Sequence, residues 1–389
     1  MRRVGRRFVI AAALALAAAC GGGPQSGFGT AQIVAPGVEL YRMTDSSLVD
    51  PAGPIAAYLL KLDPAKVKLS SVLSNDEVMN AERVDAIAAR HGAIAAVNGG
   101  YFNAKNGEPM GLLKVAGELV SDNTLAKGAV IIRSPASGPI TLAFDQLSAK
   151  MSVTFKSAGK AVTLPIDGVD TTRERGKLML YTPAYHADTD TAPAGTDWIL
   201  DSVNGAPLAV TAVRTDEPKA PIPRKGAVLS FGGLDLPEPL EDLIEGVTVT
   251  FSTSWKSLNG TPDTTLDQAD HIVNGAGLLR RNGVALTEWA AENLIPAAFT
   301  HVRHPRTMIG VDAHGFIWLA AIDGRQADYS VGMTFADLQR LCDRLGLRDA
   351  LNLDGGGSTT MWVNGQIVNR PSDPTGPRAV SDALLVTAR

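Results

Sequence analysis

The sequence predicts an α+β protein, a mixed and largely antiparallel β-sheet with a few segregated helices. Three observations carry that expectation. Residues 128–251 are dominated by segments of alternating polarity (129–132, 151–155, 177–181, 198–203 and 247–251), the two-residue period of strands with one buried face. Helical spacing of apolar residues is confined to two segments, 75–91 and 334–345. The C-terminal third consists of short apolar runs punctuated by glycine-rich turns, which argues against a doubly wound parallel sheet, where helices alternate with strands.

At 389 residues, 45% hydrophobic and 20% charged, the chain can bury a substantial core in one large or two ordinary domains. It opens on an export signal: Arg2, Arg3, Arg6 and Arg7 precede an apolar run over residues 8–19, whose 12 residues are too few to span a bilayer. The sequence Leu16-Ala17-Ala18-Ala19-Cys20 resembles a bacterial lipoprotein signal, with Cys20 as the lipidated first residue of the mature chain; an ordinary signal peptide with an incidental cysteine is the alternative. Gly21-Gly22-Gly23-Pro24-Gln25-Ser26-Gly27 then reads as a flexible tether. Acyl chains, each worth about 0.8 kcal/mol per buried methylene, would hold such a protein to a membrane, periplasmic or at the cell surface. The formal charge of −4 includes the four signal arginines, so the mature form carries about −8. That acidity disfavours nucleic acid as a partner, because phosphate affinity needs clustered Lys and Arg.

Past the tether, residues 75–91 place Val78, Val84, Ile87 and Ala88 at helical spacing and stop at Gly92. The apolar run 93–97 delivers Asn98-Gly99-Gly100-Tyr101-Phe102 to a strand end. After the alternating middle comes His301-Val302-Arg303-His304-Pro305-Arg306-Thr307, followed by a strand over 308–311 and a second strand, 316–322, ending at Asp323-Gly324-Arg325. Composition alone permits a solvated loop here; the arrangement points further, since Arg306, Asp323, Arg325 and Asp354 each sit at the end of a predicted strand. In 334–345, Thr334 and Asp337 form a capping-box-like start, and Phe335, Leu338, Leu341, Cys342 and Leu345 repeat at helical spacing, so Cys342 reads as core. With Cys20 lipidated, Cys342 has no internal disulfide partner.

The last element holds the strongest local signal. Leu351-Asn352-Leu353-Asp354-Gly355-Gly356-Gly357-Ser358-Thr359 sets a carboxylate and three glycines between two strand-like runs, and Asn364-Gly365 then marks a two-residue hairpin. No Lys-Ser/Thr follows the glycines and no helix stands behind them, which excludes a nucleotide phosphate loop. Two readings stand: an anion-binding concavity of free amides beside Asp354, or a tight turn capped by an aspartate.

The stretches Asn98-Gly99-Gly100-Tyr101-Phe102, Arg303-His304-Pro305-Arg306-Thr307, Asp323-Gly324-Arg325 and Asn352-Leu353-Asp354-Gly355-Gly356-Gly357-Ser358-Thr359 resemble, in order, the signature stretches of the phosphodiester glycosidase family. The resemblance implies hydrolysis of the bond between a sugar's anomeric carbon and a phosphodiester oxygen. It implies a domain over residues 93–389, with residues 31–92 packing on it, after the 1–19 signal and the 20–30 lipidated tether already read from the N-terminus. Two stretches depart from the family's pattern: Asn274-Gly275-Ala276-Gly277, where relatives carry a glycine pair before a proline, and Asp170, where Asn is expected. Both bear on substrate choice.

The chemistry of such a cleavage assigns roles by residue type. A phosphate leaving group is weakly basic, so cationic groups that absorb its charge can replace a proton donor; Arg306 and Arg325 are the candidates, with His304 as helper. Positive charge on the sugar calls for a carboxylate, Asp354 first and Asp323 second. Asn98, Gly99, Gly100, Tyr101, Thr307, Gly355, Gly356, Gly357 and Ser358 are the expected substrate-binding residues. No cofactor is required on this reading. Three other classes stay open: a metal-dependent phosphodiesterase using Asp323, Asp354, His301 and His304 as ligands, a surface lipoprotein that binds a glycan without cleaving it, and a simple envelope scaffold, which the four motifs argue against. The metal alternative lacks any His/Asp pair at helical ligand spacing, and the low aromatic content, 5%, weakens the binding-module reading.

Overall fold

The computed structural model describes residues 29–202, 205–294 and 296–389. The export signal, Cys20 and most of the tether therefore lie outside the described residues, as does Val203 at the end of the predicted strand 198–203. Strands dominate and helices are few, as the alternating sequence demands. Pairing is antiparallel throughout the two large sheets; a parallel pair, Gly168–Val169 beside Leu178–Tyr181, makes the architecture mixed.

The sheet that carries the site has eight strands in the order Gln32–Ala35, Val38–Met43, Ala57–Leu62, Ile317–Ile322, Arg306–Asp312, Leu347–Asn352, Leu278–Arg281 and Val284–Ala285. The N-terminal strands complete the same sheet as the C-terminal ones, with Leu60 opposite Leu319. All seven residues of Arg306–Asp312 are buried, which explains why its sequence reads as an apolar run: a strand covered on both faces has no polar side to alternate with. Ile309, Leu319 and Leu351 enter the larger core on one face. Met308, Ala320 and Ala350 meet Leu338, Leu341 and Cys342 of the helix Phe335–Leu345 on the other. Each fully buried leucine there contributes about 1.5–3 kcal/mol.

That helix starts and stops as predicted. The Thr334 hydroxyl accepts the Asp337 N–H at 3.1 Å and the Asp337 carboxylate accepts the Thr334 N–H at 2.8 Å, a complete capping box. Gly346, at φ 64°, ends it in the left-handed conformation. Cys342 is fully buried, and burial pushes its thiol up to about 12, so it is core and not a nucleophile.

The other predicted helix is shorter than its spacing suggests. Only Val84–Arg90 is α-helical; Asn75, Asp76 and Asn80 have φ of 50°, 61° and 70°, and these left-handed residues break the segment before Val84. Val78 is still fully buried, but from a bend outside any helix.

A second sheet, Gln366–Ile367, Met361–Val363, Ala95–Asn98, Asp382–Ala388 and Val67–Leu73, lies beside the site. Its hairpin turns on Asn364 (φ 46°) and Gly365 (φ 89°), both left-handed as a two-residue turn of this hand requires. Between the first motif in sequence and the other three, residues 113–274 form the whole of a seven-stranded sheet, including the 17-residue strand Thr141–Ser157, and of a five-stranded one.

Candidate active site

Sheet register gathers the motifs. Arg306 lies opposite Ile322, and Met308 opposite Asn352. Arg306 therefore opens its strand at the edge where its two antiparallel neighbours close, and Asp323-Gly324-Arg325 and Leu353-Asp354 emerge on either side of it. The fourth motif arrives from the second sheet. Asn98, fully buried, donates to the Asp354 carbonyl at 2.7 Å and accepts the Thr307 hydroxyl at 2.7 Å and the Thr360 N–H at 3.2 Å. One side chain thus ties three segments together.

The result is a cavity of about 290 Å³. Arg306, Arg325, Arg378, His304 and Asp354 are its charged and titratable walls, Tyr101 and Phe299 its aromatic ones, and Gly355, Gly356 and Gly357 line the rest. Arg306 is 2% exposed. Its Nε donates to the Met333 carbonyl at 2.9 Å and its Nη2 to the carbonyls of Phe299 and Val302 at 2.6 and 3.0 Å. The guanidinium lies 5.1 Å from the Phe299 ring centroid and 4.9 Å from that of Phe335. Burial brings its pKa down to about 10, still protonated at neutral pH. Among the described residues no carboxylate pairs with Arg306 and nothing bonds its Nη1, so a buried positive charge is left for an occupant of the cavity to neutralise.

Arg325 likewise has no carboxylate partner among the described residues, and its Nη2 lies 3.4 Å from His304 Nδ1. It adopts φ 61°, a conformation costing a non-glycine residue about 1 kcal/mol or more and found preferentially at functional sites. Burial and the two neighbouring arginines lower the His304 pKa, keeping the ring neutral near pH 7, with Nε2 near the Ala298 carbonyl at 3.3 Å.

Asp354 is the one carboxylate among the lining residues. Its N–H donates to the Gly99 carbonyl at 3.1 Å and its Oδ1 accepts the Gly355 N–H at 2.8 Å. Burial raises its pKa to about 6, opposed by the Ser358 hydroxyl, the Gly355 N–H and Arg378. It is ionised at neutral pH and titrates just below it.

Several expected site residues are elsewhere. Asp323, 1% exposed, is not on the cavity wall: its Oδ1 accepts Asn369 Nδ2 at 2.9 Å, and its Oδ2 accepts the Arg370 N–H at 2.9 Å and the Tyr329 hydroxyl at 3.2 Å. It fastens the loop after Ile367 to the turn bearing Arg325, a structural task. Asn98 and Thr307 bond each other and are buried, so they shape the site without facing substrate. Gly99 and Gly100 pack on the buried carboxylate of Asp382; a Cβ on Gly99 would lie 1.9 Å from Asp382 Oδ2. The amides of the glycine loop are mostly committed, since Gly355 N–H serves Asp354 and Gly356 N–H serves the Pro305 carbonyl at 2.9 Å. The concavity of three free amides is therefore not formed; the loop folds instead as a 3₁₀ turn, Gly356–Ser358, with Ser358 buried. A Cβ on Gly355 would lie 2.6 Å from the Pro305 carbonyl, so glycine is required for close packing. His301 is exposed and lies off the cavity wall. Asn274 and Asp170 are buried in backbone-supporting hydrogen bonds, to Leu112 N–H and to Thr182, and do not line the cavity.

Sequence reasoning missed Arg378 and Phe299. Arg378 pairs with Asp373 at 2.8 Å and comes from a proline-rich loop with no periodic signal. A larger cavity, about 690 Å³, lies against the five-stranded sheet, but its Arg173, Glu174 and Asp190 are ion-paired with Asp197, Lys177 and Lys219, leaving those charges already answered.

Comparison with known proteins agrees with this geometry. Residues 202–387 match the family model described as phosphodiester glycosidase. The chain is 34% identical over 114 residues to the SPbeta prophage-derived uncharacterized protein YomE of Bacillus subtilis (strain 168), covering 28% of this chain and 17% of that protein. It is 30% identical over 121 residues to N-acetylglucosamine-1-phosphodiester alpha-N-acetylglucosaminidase of Bos taurus, covering 30% of this chain and 23% of that protein. The chain thus spans less than a quarter of the length of these curated relatives. Among solved structures, a putative exported protein from Burkholderia pseudomallei K96243 superposes with TM-score 0.74 at 25% identity, over 86% of this chain and 74% of that one. A hypothetical protein from Synechocystis shares the fold, with TM-score 0.74 at 22% identity over 91% of this chain and 62% of that one. Three of the four motifs fall within the matched region and the fourth is bonded to it through Asn98, so most of the residues that build the cavity lie in the stretch that matches the phosphodiester glycosidase family model.

Proposed function

We propose that the cavity hydrolyses sugar-1-phosphodiesters at the bond between the anomeric carbon and the phosphate oxygen. The observation that carries this reading is Arg306: a buried guanidinium with no carboxylate partner among the described residues, lining the same cavity as a single ionised carboxylate, Asp354. Arg306 Nη1 and Arg325 take the phosphate oxygens and absorb the charge that the departing phosphomonoester gains with the bonding electron pair. Asp354 stabilises the positive charge on the anomeric carbon and accepts a proton from the water whose oxygen ends on the sugar. Neutral His304 orients Arg325. The metal-dependent alternative is disfavoured by the donor set: Asp323 and His301 are off the cavity wall, and no group of three or more His, Cys, Asp or Glu suited to a metal occurs among the described residues.

The test is hydrolysis of chromogenic sugar-1-phosphodiesters and matched plain glycosides in heavy-oxygen water, with products read by mass spectrometry. Label on the sugar, lost turnover in folded Asp354→Asn and activity undiminished by chelator are expected; label on the phosphate would overturn the reading. We further propose that Cys20 carries lipid and holds the exported protein to a membrane. Cys20→Ala should release it from the membrane fraction, and continued retention would count against the anchor.

A further inference from the structure

Asp382 heads the strand Asp382–Ala388, fully buried and outside the catalytic cavity. Its Oδ1 accepts the Gly100 N–H at 3.0 Å and the Ser381 hydroxyl at 3.0 Å, and its Oδ2 accepts the Ser71 hydroxyl at 3.4 Å. Its carbonyl accepts the Gly99 N–H at 3.0 Å, and the Gly99 carbonyl accepts the Asp354 N–H at 3.1 Å. Gly99 therefore links the two aspartates through hydrogen bonds, and it has no room for a side chain because Asp382 fills the space behind it. No cation pairs with Asp382 among the described residues. A clamp needing only acceptors for N–H and O–H groups could use a neutral amide, without the cost of burying a charge, so the carboxylate at this position calls for an electrostatic reason.

We propose that Asp382 is a positioning residue for Asp354, holding its backbone through the Gly99–Gly100 turn and contributing a negative charge behind its carboxyl. The inference rests on the reading of Asp354 as the working carboxylate. On the cavity side Asp354 faces Arg306 at the head of the central strand, Arg325 on the turn after Ile322 and Arg378 on the C-terminal loop, the last paired with Asp373, so two positive charges remain unpaired among the described residues, with neutral His304 and the Tyr101 phenol completing the wall. Asp382 opposes them from inside the protein. Both carboxyls are raised to about 6, chiefly by burial, and the charge of Asp382 is part of the rise at Asp354. Without it the arginines would hold Asp354 ionised at lower pH, as a weaker base.

The test follows the Asp354 carboxyl carbon by NMR titration in the full chain, its signal assigned by its loss in Asp354→Asn. Asp382→Asn keeps an acceptor for Gly100 N–H and removes the charge; the Asp354 midpoint should fall by about half a unit or more, and Asp382→Glu should restore part of the shift. An unchanged midpoint in folded Asp382→Asn overturns the inference. If that variant does not fold, the wild-type curves decide: coupled, broadened titrations of Asp354 and Asp382 support it, and two independent single-site curves refute it. The readout needs no turnover, so a shifted midpoint with no hydrolysis of any sugar phosphodiester would defeat the proposed activity alone. Where hydrolysis is observed, the acidic limb of kcat/KM should move to lower pH with the midpoint.

Discussion

Asp354→Asn should make the protein more stable at alkaline pH while abolishing its activity. The folded protein raises this carboxyl from an ordinary value of 3.8 to about 6, chiefly by burial. A difference of roughly two units, at about 1.36 kcal/mol each, sets a ceiling near 3 kcal/mol. The sign follows from linkage: a carboxyl whose folded pKa lies above its unfolded one stabilises the fold fully below pH 3.8, and that stability is lost as pH rises through about 6. Above that, the fold bears the cost of a charged carboxylate. Asp354 keeps partial contact with water through the cavity, so about 1–2 kcal/mol is the expected effect rather than the ceiling. Asparagine retains an oxygen for the Gly355 N–H, so the loop is not otherwise disturbed. Urea unfolding of both proteins at pH 4 and pH 8 gives the comparison. The variant should be more stable by about 1–2 kcal/mol at pH 8 and nearly equal at pH 4. Equal differences at the two pH values, or a less stable variant at pH 8, would refute the placement of a strained carboxylate in this cavity.

Other outcomes follow from the same contacts. Arg306→Gln strands carbonyls of Met333, Phe299 and Val302 and should cost about 2–4 kcal/mol in thermal or urea unfolding, with kcat/KM on a sugar phosphodiester falling about 100-fold or more. Gly355→Ala drives a methyl against the Pro305 carbonyl and should cost about 1–3 kcal/mol while displacing Asp354, read as lost turnover in a protein that still folds. Gly346→Ala is the control, with nothing within 4 Å of the added methyl; it should lose about 1 kcal/mol from its left-handed φ and keep full activity. Asn98→Ala leaves the Asp354 carbonyl, the Thr307 hydroxyl and the Thr360 N–H unpaired; a loss of about 2–4 kcal/mol by calorimetry is expected, and a loss under 1 kcal/mol would mean the three segments are not tied through it.

Element types were legible where the signal was local. The capping box at Thr334, the left-handed stop at Gly346, the hairpin at Asn364-Gly365 and the apolar run through Met308 depend on neighbours a few residues away, and all appear in the structure. The helix over 75–91 failed because Val78 owes its burial to contacts from distant chain: its N–H bonds the Ala184 carbonyl at 2.7 Å. Asp323 was misread for a related reason. A carboxylate at a strand end looks the same in sequence whether it faces a cavity or the loop carrying Asn369 and Arg370.

The sequence by itself determined the strand-rich architecture, the positions at which polar motifs interrupt apolar strands, and most of the residues from which the site is drawn, Arg378 and Phe299 excepted. Periodicity, turn chemistry and residue type are written along the chain. Only the tertiary structure decided that Arg306 and Arg325 lack carboxylate partners among the described residues, that Asp354 is the sole carboxylate lining the cavity, and that Asp382 stands behind it. Those facts depend on sheet register and on a motif nearly 260 residues away, Asn98 against Asp354. A charge acquires its role from what faces it across space, and that pairing has no local trace in sequence.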